Sequence, residues 1–274
     1  MAEQTILDRI VAQRREDVRA AKAELPLSLL QAALAEAPAP IDFLARLEAA
    51  GPVALIAEIK RASPSKGDIA PDIDAAEQAY RYALAGAAGI SVLTEPTWFK
   101  GTLEDLRRAR REVGQFGEQR PGILRKDFIV DEYQVVESRA HGADSILLIV
   151  ACLDDVALYH LLACSRGLEM EPLVEVNNSA EMERAVAAGA RLIGVNNRDL
   201  RSFAVDLGTT DRLAAMVPPG TMLAALSGIS TRADVERFAA AGACAVLVGE
   251  ALMAAEDPAA KVRELLGIPE GARA

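Results

Sequence analysis

The sequence predicts an α/β fold: a single (β/α)8 TIM barrel with an N-terminal helical extension. From residue 53 onward, eight short apolar runs alternate with eight amphipathic stretches of helical length. That is the pattern of serial βα units around a parallel sheet, and eight is the number that closes a barrel. Small-residue turns precede several strands: Ala88-Gly89, His141-Gly142-Ala143, Ala188-Gly189-Ala190 and Ala241-Gly242-Ala243. A glycine just past a helix end is the expected stop signal. An open doubly wound sheet is the competing arrangement, but no glycine-rich dinucleotide fingerprint follows the first strand. The 274 residues, 51% hydrophobic, can bury a barrel-sized core.

Residues 3–23 read as an exposed amphipathic helix, with Ile6, Leu7, Ile10, Val11 and Val18 near helical spacing among many charges. Two shorter helical pieces follow at 27–34 and 43–49, separated by Ala37-Pro38-Ala39-Pro40. Residues 1–50 lack a core of their own, so they are expected to pack on a barrel formed by 51–274. Strands are expected at 53–60, 89–94, 122–127, 145–151, 171–176, 191–196, 221–226 and 243–248. Helices are expected near 73–86, 103–113, 132–141, 155–165, 179–188, 209–216, 232–241 and 258–266.

The first strand ends unusually. Val53-Ala54-Leu55-Ile56-Ala57 is apolar enough to be buried on both faces. Glu58 and Lys60 then stand two apart, so both point the same way. Arg61-Ala62-Ser63-Pro64-Ser65-Lys66-Gly67 continues as a polar, basic, non-regular loop. Taken alone, this is equally a solvated ion pair and a turn. The other strand ends are polar too. The third runs into Arg125-Lys126-Asp127-Phe128 and the fifth into Glu175 and Asn177. The sixth runs into Asn196-Asn197-Arg198, the seventh into Ser227-Gly228-Ile229-Ser230 and the eighth into Gly249-Glu250. Barrels place their active residues on this one rim, and often hold phosphate at the last two strands. A turn glycine with a helix cap would leave the same trace at each of those two. Glu250 beside a phosphate would repel it through the side chain, so only a backbone N–H contact is assigned there.

The net charge of −10 argues against general nucleic-acid or anionic-membrane binding. No apolar run reaches a membrane span, and the opening residues lack the apolar core of a signal peptide. A cytoplasmic monomer or weak homodimer acting on a small molecule is expected. Cys152, Cys164 and Cys244 are odd in number and far apart, so they read as reduced, buried thiols. No paired ligand spacing and no carboxylate–histidine constellation for a metal is found. His141 falls at a helix C-terminus and His160 inside a helix, away from the strand ends. Acid–base work therefore falls to lysine and glutamate. Crowding Lys60, Lys126, Glu58 and Glu175 into one dry rim would perturb their proton affinities, as such catalysis needs.

At these residues the sequence resembles the indole-3-glycerol phosphate synthase family. The likeness runs from ILDRIVAQRREDV through AEIKRASPSKG, SVLTEPTWFKGTLEDL and LRKDFIVDEYQVVESRAHGADSILLIV. It continues through LVEVNN, IGVNNRDL and SGIST to LVGEALM. The resemblance implies closure of the indole ring of a carboxyphenylamino-deoxyribulose phosphate in tryptophan biosynthesis, with loss of CO₂ and water and no cofactor. It implies Lys126 as the general acid on the substrate carbonyl. Lys60 would pair with the substrate carboxylate and serve the dehydration, and Glu175 would handle protons in later steps. Glu58 and Asn196 would be their polar partners. Arg198 would lie near the anthranilate carboxylate. Ser63, Ser227, Gly228, Gly249 and Glu250 would hold the phosphate, largely through backbone. Phe99, Phe128, Leu147, Ile149 and Leu200 would form the apolar pocket for the aromatic ring, although plain barrel core is an equal reading for them.

One position departs from the family pattern: Leu226 stands where the family usually carries glutamate before Ser-Gly-Ile. Two competing readings follow. One is another phosphate-binding barrel of the same pathway, such as phosphoribosylanthranilate isomerase. The other is a phosphate-binding barrel whose activity is reduced or lost through Leu226.

Overall fold

The computed structural model describes residues 4–269. Helix α1 (Ile6–Glu24) starts at a capping box, in which Thr5 Oγ1 accepts from the Asp8 amide and Asp8 accepts from the Thr5 amide. The expected start at residue 3 lies outside the described residues. Helices α2 (Leu27–Ala33) and α3 (Phe43–Glu48) follow. The barrel then begins with β1 (Ala54–Ile59), after which comes a small hairpin, β2 (Ala62–Ser63) and β3 (Gly67–Asp68). The remaining units are α4 (Ala75–Leu84), β4 (Gly89–Leu93), α5 (Leu103–Val113), β5 (Gly122–Lys126), α6 (Glu132–Ala140), β6 (Ser145–Ile149) and α7 (Asp155–Gly167). They continue as β7 (Leu173–Val176), α8 (Ser179–Ala187), β8 (Leu192–Asn196), α9 (Gly208–Ala214), β9 (Met222–Leu226), α10 (Arg232–Ala240), β10 (Ala245–Val248), α11 (Glu250–Met253) and α12 (Pro258–Leu266).

Eight parallel strands close in the order β1-β10-β9-β8-β7-β6-β5-β4, so no sheet edge is left open. Strand alternation splits the core in two. On β1, Leu55, Ala57 and Ile59 pack outward under the helices, while Ala54 and Ile56 face the barrel interior. Leu124, Leu147, Ile149, Leu173, Leu192, Ala224, Leu226 and Leu247 fill that interior. The next inward positions along the strands are Glu58, Lys126, Glu175 and Asn196. The alternation that buries the core therefore also delivers polar groups to the C-terminal rim.

The front segment touches both ends of the barrel. At the N-terminal end, α3 inserts Phe43 beneath β4 and β5. A Cβ on Gly122 would lie 2.4 Å from Phe43 Cδ2, so the ring fits only because that residue is glycine. At the other end, α1 buries Leu7 and Ile10 in the interior cluster. Arg14 forms a bidentate pair with the buried Asp127, at 3.0 Å to each carboxylate oxygen. Lys22 reaches Asp131 at 2.8 Å.

Several details differ from the sequence reading. The β2–β3 hairpin forms within the loop read as non-regular. The run expected as strand to residue 151 ends at Ile149 and turns into a 3-10 helix at Val150–Cys152. The three cysteines are free but each is partly exposed rather than buried. Among the described residues no helix is long and apolar enough to cross a membrane.

Candidate active site

A cavity of about 460 Å³ opens at the C-terminal ends of the strands. Every residue singled out from the sequence as a site residue lines it: Glu58, Lys60, Ser63, Phe99, Lys126, Phe128, Leu147, Ile149, Glu175, Asn196, Arg198, Leu200, Ser227, Gly228, Gly249 and Glu250. Leu226 lines it as well, and neither histidine does. His141 caps α6, with Nδ1 2.8 Å from the Glu137 carbonyl oxygen, and His160 sits on the outer surface.

The charged groups form two pairs. Lys60 Nζ donates to Glu58 Oε1 at 2.7 Å. Burial works to raise the Glu58 carboxyl, but the Lys60 and Lys126 ammonium groups outweigh it and hold that carboxyl below its ordinary value. Lys126 Nζ lies 3.8 Å from Glu175 Oε2. Asn196 Nδ2 donates to the other oxygen, Glu175 Oε1, at 2.9 Å. Glu175 Oε2 is buried and accepts no hydrogen bond. Asn196 thus fixes one oxygen of Glu175 and leaves the other aimed at Lys126. Such a pair offers one group able to give a proton and one able to take it at a molecule bound in the cavity.

One wall is apolar. Phe99 and Phe128 stack tilted, with ring centroids 6.0 Å apart, beside Leu147, Ile149 and Leu200. Phe99 owes its position to a residue that strand-end reasoning missed. Glu95, fully buried, accepts from the amides of Thr97, Trp98 and Phe99 at 2.9, 2.7 and 3.0 Å. Glu250 is drawn between Arg198, at 3.4 Å, and Lys66, at 3.2 Å. Two cations thus offset the carboxylate that would otherwise repel an anion at this end of the cavity.

Ser227 and Gly228 carry positive φ of 65° and 79°, turning the chain sharply at the end of β9. For Ser227 this is a strained conformation. A Cβ on Gly228 would lie 2.6 Å from Leu207 Cδ2 and 2.9 Å from Val205 Cγ1, on the loop before α9. Gly249 has a different need for glycine, since a Cβ there would lie 2.4 Å from Glu58 Oε1. It is the N-cap of α11 and no side chain caps that helix.

Fold and site define a (β/α)8 barrel with lysines and carboxylates gathered around a cavity on its C-terminal rim. The family model described as indole-3-glycerol phosphate synthase matches residues 7–265, and the chain belongs to that family. It is 57% identical over 267 residues to the multifunctional tryptophan biosynthesis protein of Phycomyces blakesleeanus, covering 96% of this chain and 35% of that protein. The chain thus spans about a third of the length of the first relatives it matches. It is 50% identical over 261 residues to the indole-3-glycerol phosphate synthase of Dehalococcoides mccartyi, covering 95% of this chain and 100% of that one. Among solved structures, 3-hexulose-6-phosphate synthase from Salmonella typhimurium superposes with a TM-score of 0.62 at 15% identity. That match covers 79% of this chain and 98% of the other, and it speaks to the barrel fold alone.

Proposed function

We propose that this chain converts a carboxyphenylamino-deoxyribulose phosphate to indole-3-glycerol phosphate, CO₂ and water. The observation that carries the reading is the Lys126–Glu175 pair, with its unpartnered carboxylate oxygen, facing Lys60–Glu58 across a cavity with one aromatic wall. Lys126 donates a proton to the substrate carbonyl as the aromatic carbon attacks it. Lys60 pairs with the substrate carboxylate, whose bonding electrons return to the ring as CO₂ leaves. The hydroxyl formed from the carbonyl departs as water, with Lys60 supplying the proton, and Glu175 takes a proton from the former methylene carbon beside the nitrogen, now part of the new ring. A dry apolar wall favours losing the carboxylate's charge as CO₂ and strengthens the lysine fields. Arg198 would meet the anthranilate carboxylate. Ser63, Ser227, Gly228, Gly249 and the Glu250 amide would hold the phosphate, and residues 1–50 would act as an extension of the barrel. The reading takes one small phosphorylated substrate and no cofactor. It places the chain in the cytoplasm as a monomer or weak homodimer. Incubating the purified protein with the substrate and measuring the indole product tests it; tight binding without product would sink it.

Gly228→Val tests the phosphate end. The new side chain would collide with Leu207 and Val205 and abandon the left-handed turn. At about 1.5–3 kcal/mol for each hydrogen bond lost to a charged group, KM should rise roughly ten- to a hundredfold. An unchanged KM would place the phosphate elsewhere.

Leu226→Glu tests the departure from the family pattern. Leu226 pairs with Asn196 across the sheet, is 2% exposed and lines the cavity with the lysines. A carboxylate there stabilises protonated ammonium groups, so kcat should rise and the basic limb of the pH–rate profile should move to higher pH. A lower Tm with an unmoved limb and no gain in kcat would instead mark a buried, unpaired charge.

A further inference from the structure

On the outer face of the barrel, three groups able to ligate a metal converge where α6 meets α7. Glu132 opens α6. His160 and Cys164 stand four residues apart on α7, which puts them on one helix face. His160 Nε2 lies 2.9 Å from Glu132 Oε2 and 3.5 Å from Cys164 Sγ. The ligand atoms of all three residues lie within 4.8 Å of one another. None of the three lines the cavity.

The two separations at His160 Nε2 lie at or near the edges of a zinc tetrahedron. Bonds of about 2.0 Å to nitrogen and 2.3 Å to sulfur, at the tetrahedral angle, set those two atoms about 3.5 Å apart. The nitrogen–oxygen edge is about 3.3 Å on the same geometry. The His160–Cys164 separation already has its value. The Glu132–His160 separation is that of a hydrogen bond and opens by a few tenths of an ångström when a metal ion replaces the shared proton.

We propose that Glu132, His160 and Cys164 bind one zinc(II) ion, with water completing the tetrahedron. One thiolate, one imidazole and one carboxylate form a donor set that zinc accepts, whereas the thiolate disfavours magnesium and calcium. On binding, the Cys164 thiol and the imidazole Nε2 give up their protons to solvent, and the carboxylate binds ionised. The His160 and Glu132 side chains are about half exposed, at 55% and 45%, so the ion has a path in. Once bound, it ties the first turn of α6 to the middle of α7.

Metal-free protein titrated with cobalt(II) reads the geometry directly. One ion per chain should give the intense visible bands of tetrahedral cobalt and a near-ultraviolet thiolate-to-metal band. Both should vanish in Cys164→Ser and persist in Cys244→Ser. Zinc(II), titrated against a chromophoric chelator, should bind about tenfold or more weakly in His160→Ala and Glu132→Gln. Zinc should raise the Tm of the wild type and not that of Cys164→Ser. An octahedral cobalt spectrum, or bands unchanged in Cys164→Ser, would overturn the proposal. No readout depends on turnover, so failure of the proposed activity would leave this result intact.

Discussion

Replacing Lys126 by methionine should lower kcat by on the order of 10²–10⁴-fold, the range a positioned general acid supplies. Lys126 is the last residue of β5, and its ammonium faces the free oxygen of Glu175 at 3.8 Å. No histidine lines the cavity, so no neighbouring imidazole can take over the proton. Methionine keeps an unbranched stem of similar length and removes the charge, so fold and phosphate binding should survive. The loss should appear in kcat rather than KM, because a proton delivered to the carbonyl matters in the transition state and not in binding. Glu58 provides an internal check. Lys126 is one of the two cations holding its carboxyl low, after burial has pushed it up. The variant should therefore show a Glu58 carboxyl shifted upward, still restrained by Lys60. Single-turnover rates above about a tenth of wild type would show that Lys126 is not the acid.

The barrel was legible because its signal is repetitive. Eight alternations of strand and helix each carry the same period change, and a one-residue error at any end leaves the topology intact. The rim was legible for a related reason. Glu58, Lys126, Glu175 and Asn196 each stand two or four residues beyond an apolar interior residue of the same strand, so period two points them inward. What escaped the sequence has no local period. The β2–β3 hairpin consists of two-residue strands, too short for an alternation to be visible. Glu95 supports Phe99 by accepting backbone amides, and an acid in a loop carries no mark of that duty. The direction of the missing side chain at Gly228 depends on where the loop before α9 lies. The Glu132–His160–Cys164 group joins a four-residue spacing on one helix to a carboxylate 28 positions earlier, and only the packing of α6 on α7 brings them together. The Arg14–Asp127 pair spans 113 positions and is the longest of these leaps.

That pair carries the largest expected effect on stability. Asp127 is 1% exposed and accepts from five directions. Arg14 grips both oxygens at 3.0 Å, Arg125 Nη2 donates at 3.0 Å, Thr94 Oγ1 at 2.7 Å and the Phe128 amide at 2.8 Å. Arg125 is itself fully buried and bonded to Thr94, Gln134, Glu137 and Ser138. Asp127→Ala would strand two buried guanidinium groups without their shared anion. Breaking a buried pair by removing one partner costs about 3–5 kcal/mol. For a chain of this size that corresponds to a Tm lower by roughly 6–20 °C. Burial alone would raise the Asp127 carboxyl, but Arg125 and Arg14 overcome it and hold the carboxyl below its ordinary value. A carboxyl lowered by folding contributes stability above its unfolded pKa of about 3.9 and loses it as pH falls through the lower folded value. The wild type should therefore lose stability steeply below about pH 4, and Asp127→Asn should lack that component of the acid slope. Because α1 meets the barrel rim through Arg14, the variant should also expose α1 first, seen as faster amide exchange along its buried face at Leu7, Ile10 and Val18. A Tm within a degree or so of wild type, with α1 equally protected, would mean that its other contacts, Leu7, Ile10 and Val18 among them, hold the helix down and that the Asp127 network adds nothing to the fold.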